Sequence, residues 1–351
     1  MPPGEKPRTS GPRFVIVGAS TFQGKEVKEV IEDRWPLADL KLLDDDATIG
    51  QLAEAAGEAT FIQPVTPENF LFADFAIFAC EAAFTLRHWK SAQEAGCSIV
   101  DISGALSAEP SANYPLFLSW LGGEAQSPTR APDLALTGFC IPHPIAMMTA
   151  LLMQRAERAG KLITASAQIF RPVSDLGKAA MDELHQQTVQ LLAFQSQPRE
   201  IFDQQLTFNM LTQYGGEAKV KMKDLVLTLR DQLRKMLGNE ATLPAFQVLQ
   251  APLFHGQSVG LYIEYANAIE FQGVVHALDG EHVSITPPDE EPPNHVSAVG
   301  QDDIQLTVRQ DANRPNGYWL WAVADNLRLA ALMAAECITV LSASRPSRNI
   351  Q

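Results

Sequence analysis

Apolar residues along this chain fall into two textures. In the N-terminal half, unbroken apolar runs alternate with amphipathic stretches. Arg13-Phe-Val-Ile-Val-Gly-Ala-Ser-Thr-Phe-Gln-Gly-Lys-Glu-Val-Lys-Glu-Val-Ile-Glu predicts a buried strand, a tight turn and an amphipathic helix. Leu40-Lys-Leu-Leu, Phe75-Ala-Ile-Phe-Ala and Ser98-Ile-Val-Asp101 predict later strands with helices between them, the order of a parallel βαβ sheet. A second texture begins near Lys161. Leu162-Ile-Thr-Ala-Ser-Ala-Gln-Ile-Phe reads as a strand, Asp175 to about Ala193 as a helix, and Lys223 to Leu237 as another. Gln247-Val-Leu-Gln-Ala-Pro-Leu-Phe and Val259-Gly-Leu-Tyr-Ile-Glu-Tyr look like paired strands around a His-Gly-Gln turn. Such an order, with mostly antiparallel strands, describes an α+β domain. Pro287 to Pro293, acidic and proline-rich, reads as a surface loop. Gly317-Tyr-Trp-Leu-Trp-Ala-Val-Ala-Asp-Asn-Leu-Arg leads into a long helix through Leu341, apolar almost all round and expected to be buried between domains or subunits.

At the seam lies Leu134-Ala-Leu-Thr-Gly-Phe-Cys-Ile-Pro-His-Pro-Ile-Ala-Met-Met-Thr149, a short apolar run ending in Pro-His-Pro and followed by an apolar helix pattern. In a two-domain enzyme such a seam is where chemistry would sit. The predicted division is 1–140, a nucleotide-binding domain; 141–320, an α+β catalytic-type and dimerisation domain; and 321–351, a C-terminal helix packing back on the first.

Composition narrows the function classes. With 351 residues, 46% hydrophobic and 19% charged, the chain has room for two cores of ordinary globular character. Its formal net charge of -14 argues against nucleic acid, since little here would replace the counterions of a phosphate backbone. Cys80, Cys97, Cys140 and Cys337 show no CxxC spacing and lie mostly in apolar segments, as reduced cytoplasmic thiols do. The first twelve residues carry no apolar signal core, and no uninterrupted apolar run is long enough to span a bilayer, so a loose leader on a soluble cytoplasmic protein is expected, with no membrane partner. The scattered histidines form no metal-ligand pattern, so no metal site is expected.

Gly18 at the first strand's end and Gly24 in the first helical turn outline a dinucleotide-binding turn, with Ser20 and Thr21 between them. On these features, and on Ile16-Val-Gly-Ala-Ser, Val100-Asp-Ile-Ser-Gly-Ala, Phe202-Asp-Gln-Gln-Leu-Thr-Phe-Asn, Arg234-Lys-Met-Leu-Gly, Phe254-His-Gly-Gln-Ser, Val299-Gly-Gln-Asp-Asp and Trp319-Leu-Trp-Ala-Val-Ala-Asp-Asn-Leu-Arg, the chain resembles the aspartate-semialdehyde dehydrogenase family over nearly its whole length. The resemblance implies an α/β fold: an N-terminal Rossmann-type NAD(P)-binding domain plus an α+β dehydrogenase-type dimerisation domain. It also implies a homodimer and the reductive dephosphorylation of β-aspartyl phosphate, on the way to lysine, threonine and methionine. The family uses a cysteine nucleophile, a histidine acid/base, a carboxylate-gripping arginine and a glutamine.

Carried over position by position, that machinery is replaced. The cysteine that follows a Pro-Asn pair falls on Pro144, after Pro142-His143. Pro suits the first turn of a helix but has nothing to attack with. The rival alignment makes Cys140 the nucleophile, with Phe139 in place of asparagine. The acid/base histidine falls on Gln257, which cannot shuttle a proton, and His255 lies two positions earlier. The arginine falls on Gln250, which loses the bidentate clamp. The glutamine preceding the family's Val-Ser-Gly-Ala-Gly segment falls on Arg171, while Gln168 would face the other side of the strand. The phosphate-binding arginine falls on Ser107.

The cofactor site changes as well. Thr21 takes a glycine's place; Asp44-Asp45-Asp46-Ala47 stands where NADP enzymes have small residues and an arginine; Cys80-Glu81 replaces a glycine pair; Asn326, near the nicotinamide in the family, is retained. Three carboxylates disfavour NADP, whereas Asp44 suits a ribose hydroxyl of NAD. The cofactor is therefore NAD or NADP, with NADP disfavoured, or none. The sequence reads as a non-catalytic dimeric paralogue, with a small-molecule ligand in the inter-domain cleft as one role. The alternative is an active NAD(P)-dependent aspartate-semialdehyde or related acyl-phosphate dehydrogenase using Cys140.

Overall fold

The computed structural model describes residues 11–45, 48–55, 58–122, 138–287 and 289–344. Asp46, Ala47, Leu134–Thr137 and Pro288 of the stretches singled out above, the first ten residues and residues 345–351 lie outside these.

The chain divides into two units: the described residues of Met1–Pro142 with those of Ala330–Gln351, and His143–Leu329. In the first unit β1 (Arg13–Val17) runs into α1 (Phe22–Arg34), then β2 (Asp39–Asp44), a small antiparallel hairpin of β3 (Leu52–Ala55) and β4 (Glu58–Phe61), and β5 (Gln63–Pro64). Next come β6 (Phe75–Phe78), α2 (Ala82–Glu94), β7 (Ser98–Asp101) and β8 (Gly138–Cys140). Six strands form one sheet in the order β5-β2-β1-β6-β7-β8, all parallel. A parallel sheet must be buried on both faces, which is why Phe14–Val17 and Phe75–Phe78 are apolar without alternation and wholly buried.

The second unit holds α3 (Pro144–Ala159), β9 (Leu162–Arg171), α4 (Lys178–Leu192), α5 (Met222–Leu237), β10 (Ala245–Gln250), β11 (Gln257–Tyr265), α6 (Phe271–Leu278), β12 (Val283–Ile285), α7 (His295–Ala298), β13 (Ile304–Gln310) and β14 (Gly317–Ala324). Its sheet runs β10-β9-β11-β14-β13-β12. The expected pairing across the His-Gly-Gln turn does not form. β10 lies parallel beside β9, while β11 runs antiparallel between β9 and β14, so the segment between β10 and β11 is a crossover and not a hairpin. Ala251-Pro252 breaks the strand after Gln250, and Pro cannot continue a ladder. The sheet is mixed, since β12 and β13 are also parallel.

A second correction concerns α4. Helix was expected from Asp175, but Val173–Leu176 form a 3-10 turn and α4 starts after Gly177, whose φ of 81° suits glycine. Between α4 and α5 the chain is pinned without regular structure. Glu183 accepts the N–H groups of Ile201 (2.7 Å) and Phe202 (3.3 Å), and Gln187 accepts those of Leu206 and Thr207 while donating to the carbonyls of Pro198 and Gln204. These buried side chains supply the partners that a ladder would otherwise give.

Helix α8 (Asn326–Ser344) passes from the second unit into the first. Its stretch Asn326–Ala343 is long and apolar enough to cross a membrane by length and composition, although Arg328 and Glu336 interrupt the apolar run. Leu329 to Ala331, Met333 to Ala335, Cys337 and Ile338 are buried, as in the core helix of a folded protein. Glu336 on this helix accepts hydrogen bonds from Ser119 and from Trp120 Nε1.

Candidate functional site

In the first unit, the turn after β1 is tightly closed on itself. Gly18 has φ 85°, and a Cβ on Gly24 would sit 2.1 Å from the Gly18 carbonyl oxygen, so both positions require glycine. Thr21 is the N-cap of α1: its hydroxyl accepts from Gly24 N–H at 2.8 Å and lies 2.8 Å from both the Gly18 and Ala79 carbonyls. Ser20 N–H donates to Asp44 Oδ2 at 2.6 Å, and Asp45 N–H donates to Asp44 Oδ1 at 2.9 Å. Gly18, Ser20, Thr21, Gly24 and Asp44 therefore meet at the carboxyl end of β1 and β2, where open α/β sheets bind ligands. Asn326 belongs to the other unit and bonds Ser174 there. The amides of Ser20 and Gly24 are already used within the turn. Cys80, beside Gly18, is half-buried, and burial pushes its thiol up to about 12.

Cys140 ends β8, fully buried. Its thiol donates to Asp101 Oδ2 at 3.4 Å. Burial first, then the Asp101 carboxylate, push its pKa well above that of an ordinary thiol. Asp101 also accepts Ser103 N–H, Ser103 Oγ–H and Leu106 N–H, which organises the turn after β7, while burial raises its own pKa. Ser107, in that turn, donates to the Gly104 carbonyl at 2.8 Å.

The second unit opens on His143 and Pro144, the N-cap and first residue of α3. Pro144 is buried; its missing N–H costs nothing at that position. His143 Nδ1 accepts Ile145 N–H at 3.2 Å, and its own N–H donates to Gln232 Oε1 at 2.8 Å. An imidazole that accepts at Nδ1 carries its proton on Nε2, and Nε2 lies 3.1 Å from Asp175 Oδ2. The same oxygen takes Arg171 Nε at 2.8 Å. Burial alone would raise Asp175, but His143 and Arg171 hold it well below the usual carboxylate range. Burial likewise opposes the charge on Arg171, and Asp175 and Tyr214 outweigh it, so its pKa stands above the ordinary value.

Arg171 and Gln250 end β9 and β10 as register partners. Gln250 donates to the Arg171 carbonyl at 2.9 Å and accepts Tyr214 O–H at 2.8 Å. Gln257, at the start of β11, is fully buried; Nε2 points at Met148 Sδ (3.0 Å) and Oε1 has no hydrogen-bond partner among the described residues. Gln168 is exposed, on the face of β9 opposite Arg171, and His255 is half-buried in the turn before β11. The structure thus brings His143, Arg171 and Gln250 into one cluster and keeps Cys140 in the other unit. Sequence reading did not anticipate Asp175 or Tyr214. The spacing of Arg171 and Asp175 offered a signal for the first, whereas no local pattern marks Tyr214.

Comparison with known proteins gives a consistent assignment. Residues 13–125 match the semialdehyde dehydrogenase NAD-binding domain, and residues 155–329 match the semialdehyde dehydrogenase dimerisation domain. The first match indicates a nicotinamide cofactor as the class belonging to this fold. A USG-1 protein homolog of Pseudomonas aeruginosa is 28% identical over 323 residues, covering 91% of this chain and 94% of the relative. An aspartate-semialdehyde dehydrogenase of Rickettsia conorii is 22% identical, over 91% of this chain and 94% of its own. A Pseudomonas aeruginosa structure described as a probable aspartate-semialdehyde dehydrogenase superposes with a TM-score of 0.83 and 26% identity, covering 94% of this chain and 98% of the other.

Proposed function

The chain belongs to the aspartate-semialdehyde dehydrogenase family as a divergent member, and we infer that it is a non-catalytic, homodimeric paralogue that keeps the fold and association surface without the reaction. One observation carries this reading: the first residue of α3 is the buried imino acid Pro144, and the cysteine nearest to it in sequence, Cys140, is a buried thiol held protonated against Asp101. Acyl transfer needs an accessible thiolate, commonly activated at a helix N-terminus, and neither residue offers one. Gln257 strengthens the reading, since a buried amide facing a thioether cannot carry a proton between substrate and leaving group.

The second unit's outer sheet face supports association. Phe170 packs on Trp321 and Tyr262 on Trp319, with Trp319 40% exposed, a broad aromatic surface suited to a two-fold contact with a second copy. Four free cysteines, three of them buried, agree with a cytoplasmic location. NAD is the preferred dinucleotide, with Asp44 as its ribose contact and Gly18 and Gly24 as the turn. Its affinity is low because the Ser20 and Gly24 amides must be released from Asp44 and Thr21. Any small ligand then serves binding rather than turnover.

The test is a phosphate- and arsenate-dependent assay with aspartate semialdehyde and either NAD or NADP, run beside Cys140→Ser. No turnover is expected from either protein. Turnover that vanishes in the Cys140→Ser variant would overturn the reading in favour of an active dehydrogenase using Cys140.

A further inference from the structure

Arg171 and Gln250 end neighbouring strands and face each other across the parallel ladder of β9 and β10. Beside the guanidinium stands Asp175, in the short turn between β9 and α4, whose side chain fills the space there with one CH2–COO⁻ group.

The carboxylate is held as a bound ligand would be. Among the described residues its hydrogen-bond partners are side chains from two different elements, His143 Nε2 at the start of α3 and Arg171 Nε at the end of β9, and no backbone N–H. All three side chains are largely buried, at 18%, 10% and 9% exposure for His143, Arg171 and Asp175. Tyr214 and Gln250 complete the wall behind the guanidinium. A buried cation in this position must have an anion beside it, and the chain supplies its own.

We propose that Arg171 is a carboxylate-binding residue whose resident ligand is the tethered side chain of Asp175, and that withdrawing this side chain opens a site for a small free carboxylate. The vacated group is acetate in size and charge, so acetate is the probe. The inference rests on the reading that the site performs no acyl transfer, but its test does not measure turnover. Dehydrogenase activity would sink that reading and leave the acetate response as it stands.

The experiment compares thermal unfolding of the full-length wild type and Asp175→Gly in sodium acetate and in sodium chloride of equal ionic strength. The variant is expected to melt lower than wild type in chloride and to regain at least ~3 °C in saturating acetate, as mass action requires of a ligand that binds only the folded state. The wild type should respond alike to both salts. If Asp175→Gly fails to fold in chloride, its soluble yield on refolding into acetate against chloride reads the same rescue. Asp175→Asn, which keeps the space filled, should show no acetate effect, and Arg171→Gln combined with Asp175→Gly should lose it. Acetate acting no differently from chloride on Asp175→Gly, acting equally on wild type, or still acting without Arg171 would each overturn the proposal.

Discussion

His143 ties the start of α3 to Asp175, and replacing it tests what its two ring bonds contribute. In the structure its ring makes two bonds: Nδ1 caps α3 through Ile145 N–H at 3.2 Å, and Nε2–H donates to Asp175 at 3.1 Å. Truncation in His143→Ala removes both. An N-cap is worth ~1 kcal/mol, and a hydrogen bond to a buried charged group ~1.5–3 kcal/mol, so the loss is ~2.5–4 kcal/mol. His143→Asn separates the two contributions. Asparagine is among the best N-caps, so it restores the first and leaves Asp175 without its imidazole; its cost is ~1 kcal/mol smaller than that of alanine. The backbone bond from His143 N–H to Gln232 survives in both variants. The measurement is urea-induced unfolding at neutral pH with far-UV circular dichroism, reading the midpoint at constant slope. An alanine variant within ~0.5 kcal/mol of wild type, the usual scale of a surface substitution, would refute the claim that the ring's two bonds stabilise the fold. An asparagine variant as damaged as alanine would refute the capping role.

Two further outcomes follow from the same structure. Glu183→Gln should destabilise by ~2–3 kcal/mol, because an amide can keep only one of the two N–H acceptors that Ile201 and Phe202 need, and the cost of a buried donor left unmet dominates; proteolysis between α4 and α5 should accelerate with it. Alkylation of the native protein by iodoacetamide should be slow at pH 7 and climb about tenfold per pH unit up to pH 10 without levelling, since a thiol whose pKa is raised gains thiolate only as pH approaches that raised value. A plateau near pH 8 assigned to Cys140 by peptide mapping would show an activated thiol and contradict the burial argument.

Much of the fold was legible in the chain. The N-terminal strands could be read because a parallel sheet buried on both faces demands uninterrupted apolar runs, and Phe14–Val17 and Phe75–Phe78 have nothing else to be. Gly18 and Gly24 were legible because backbone sterics at a tight turn exclude any Cβ. The absence of a nucleophile at Pro144 could be read from covalent chemistry alone. Strand pairing in the second unit was not legible. Gln247–Gln250 and Val259–Tyr265 are both strand-like, and proximity in sequence favours a hairpin, yet β9 intervenes between them because a ten-residue strand with an apolar inner face offers more ladder to each than they offer each other.

The candidate site divides in the same way. Residue identity by itself determined that a proline heads α3 and that position 257 carries an amide. Only the tertiary structure decided what stands there instead. That Arg171 and Gln250 are register partners, that Asp175 reaches both His143 and Arg171, and that Tyr214 comes from a distant loop to bond Gln250 are facts of strand register and loop closure. The reason is physical: covalent chemistry belongs to a residue wherever it lies, whereas the energy of a charge depends on its partners and its exposure to water, and folding alone supplies both.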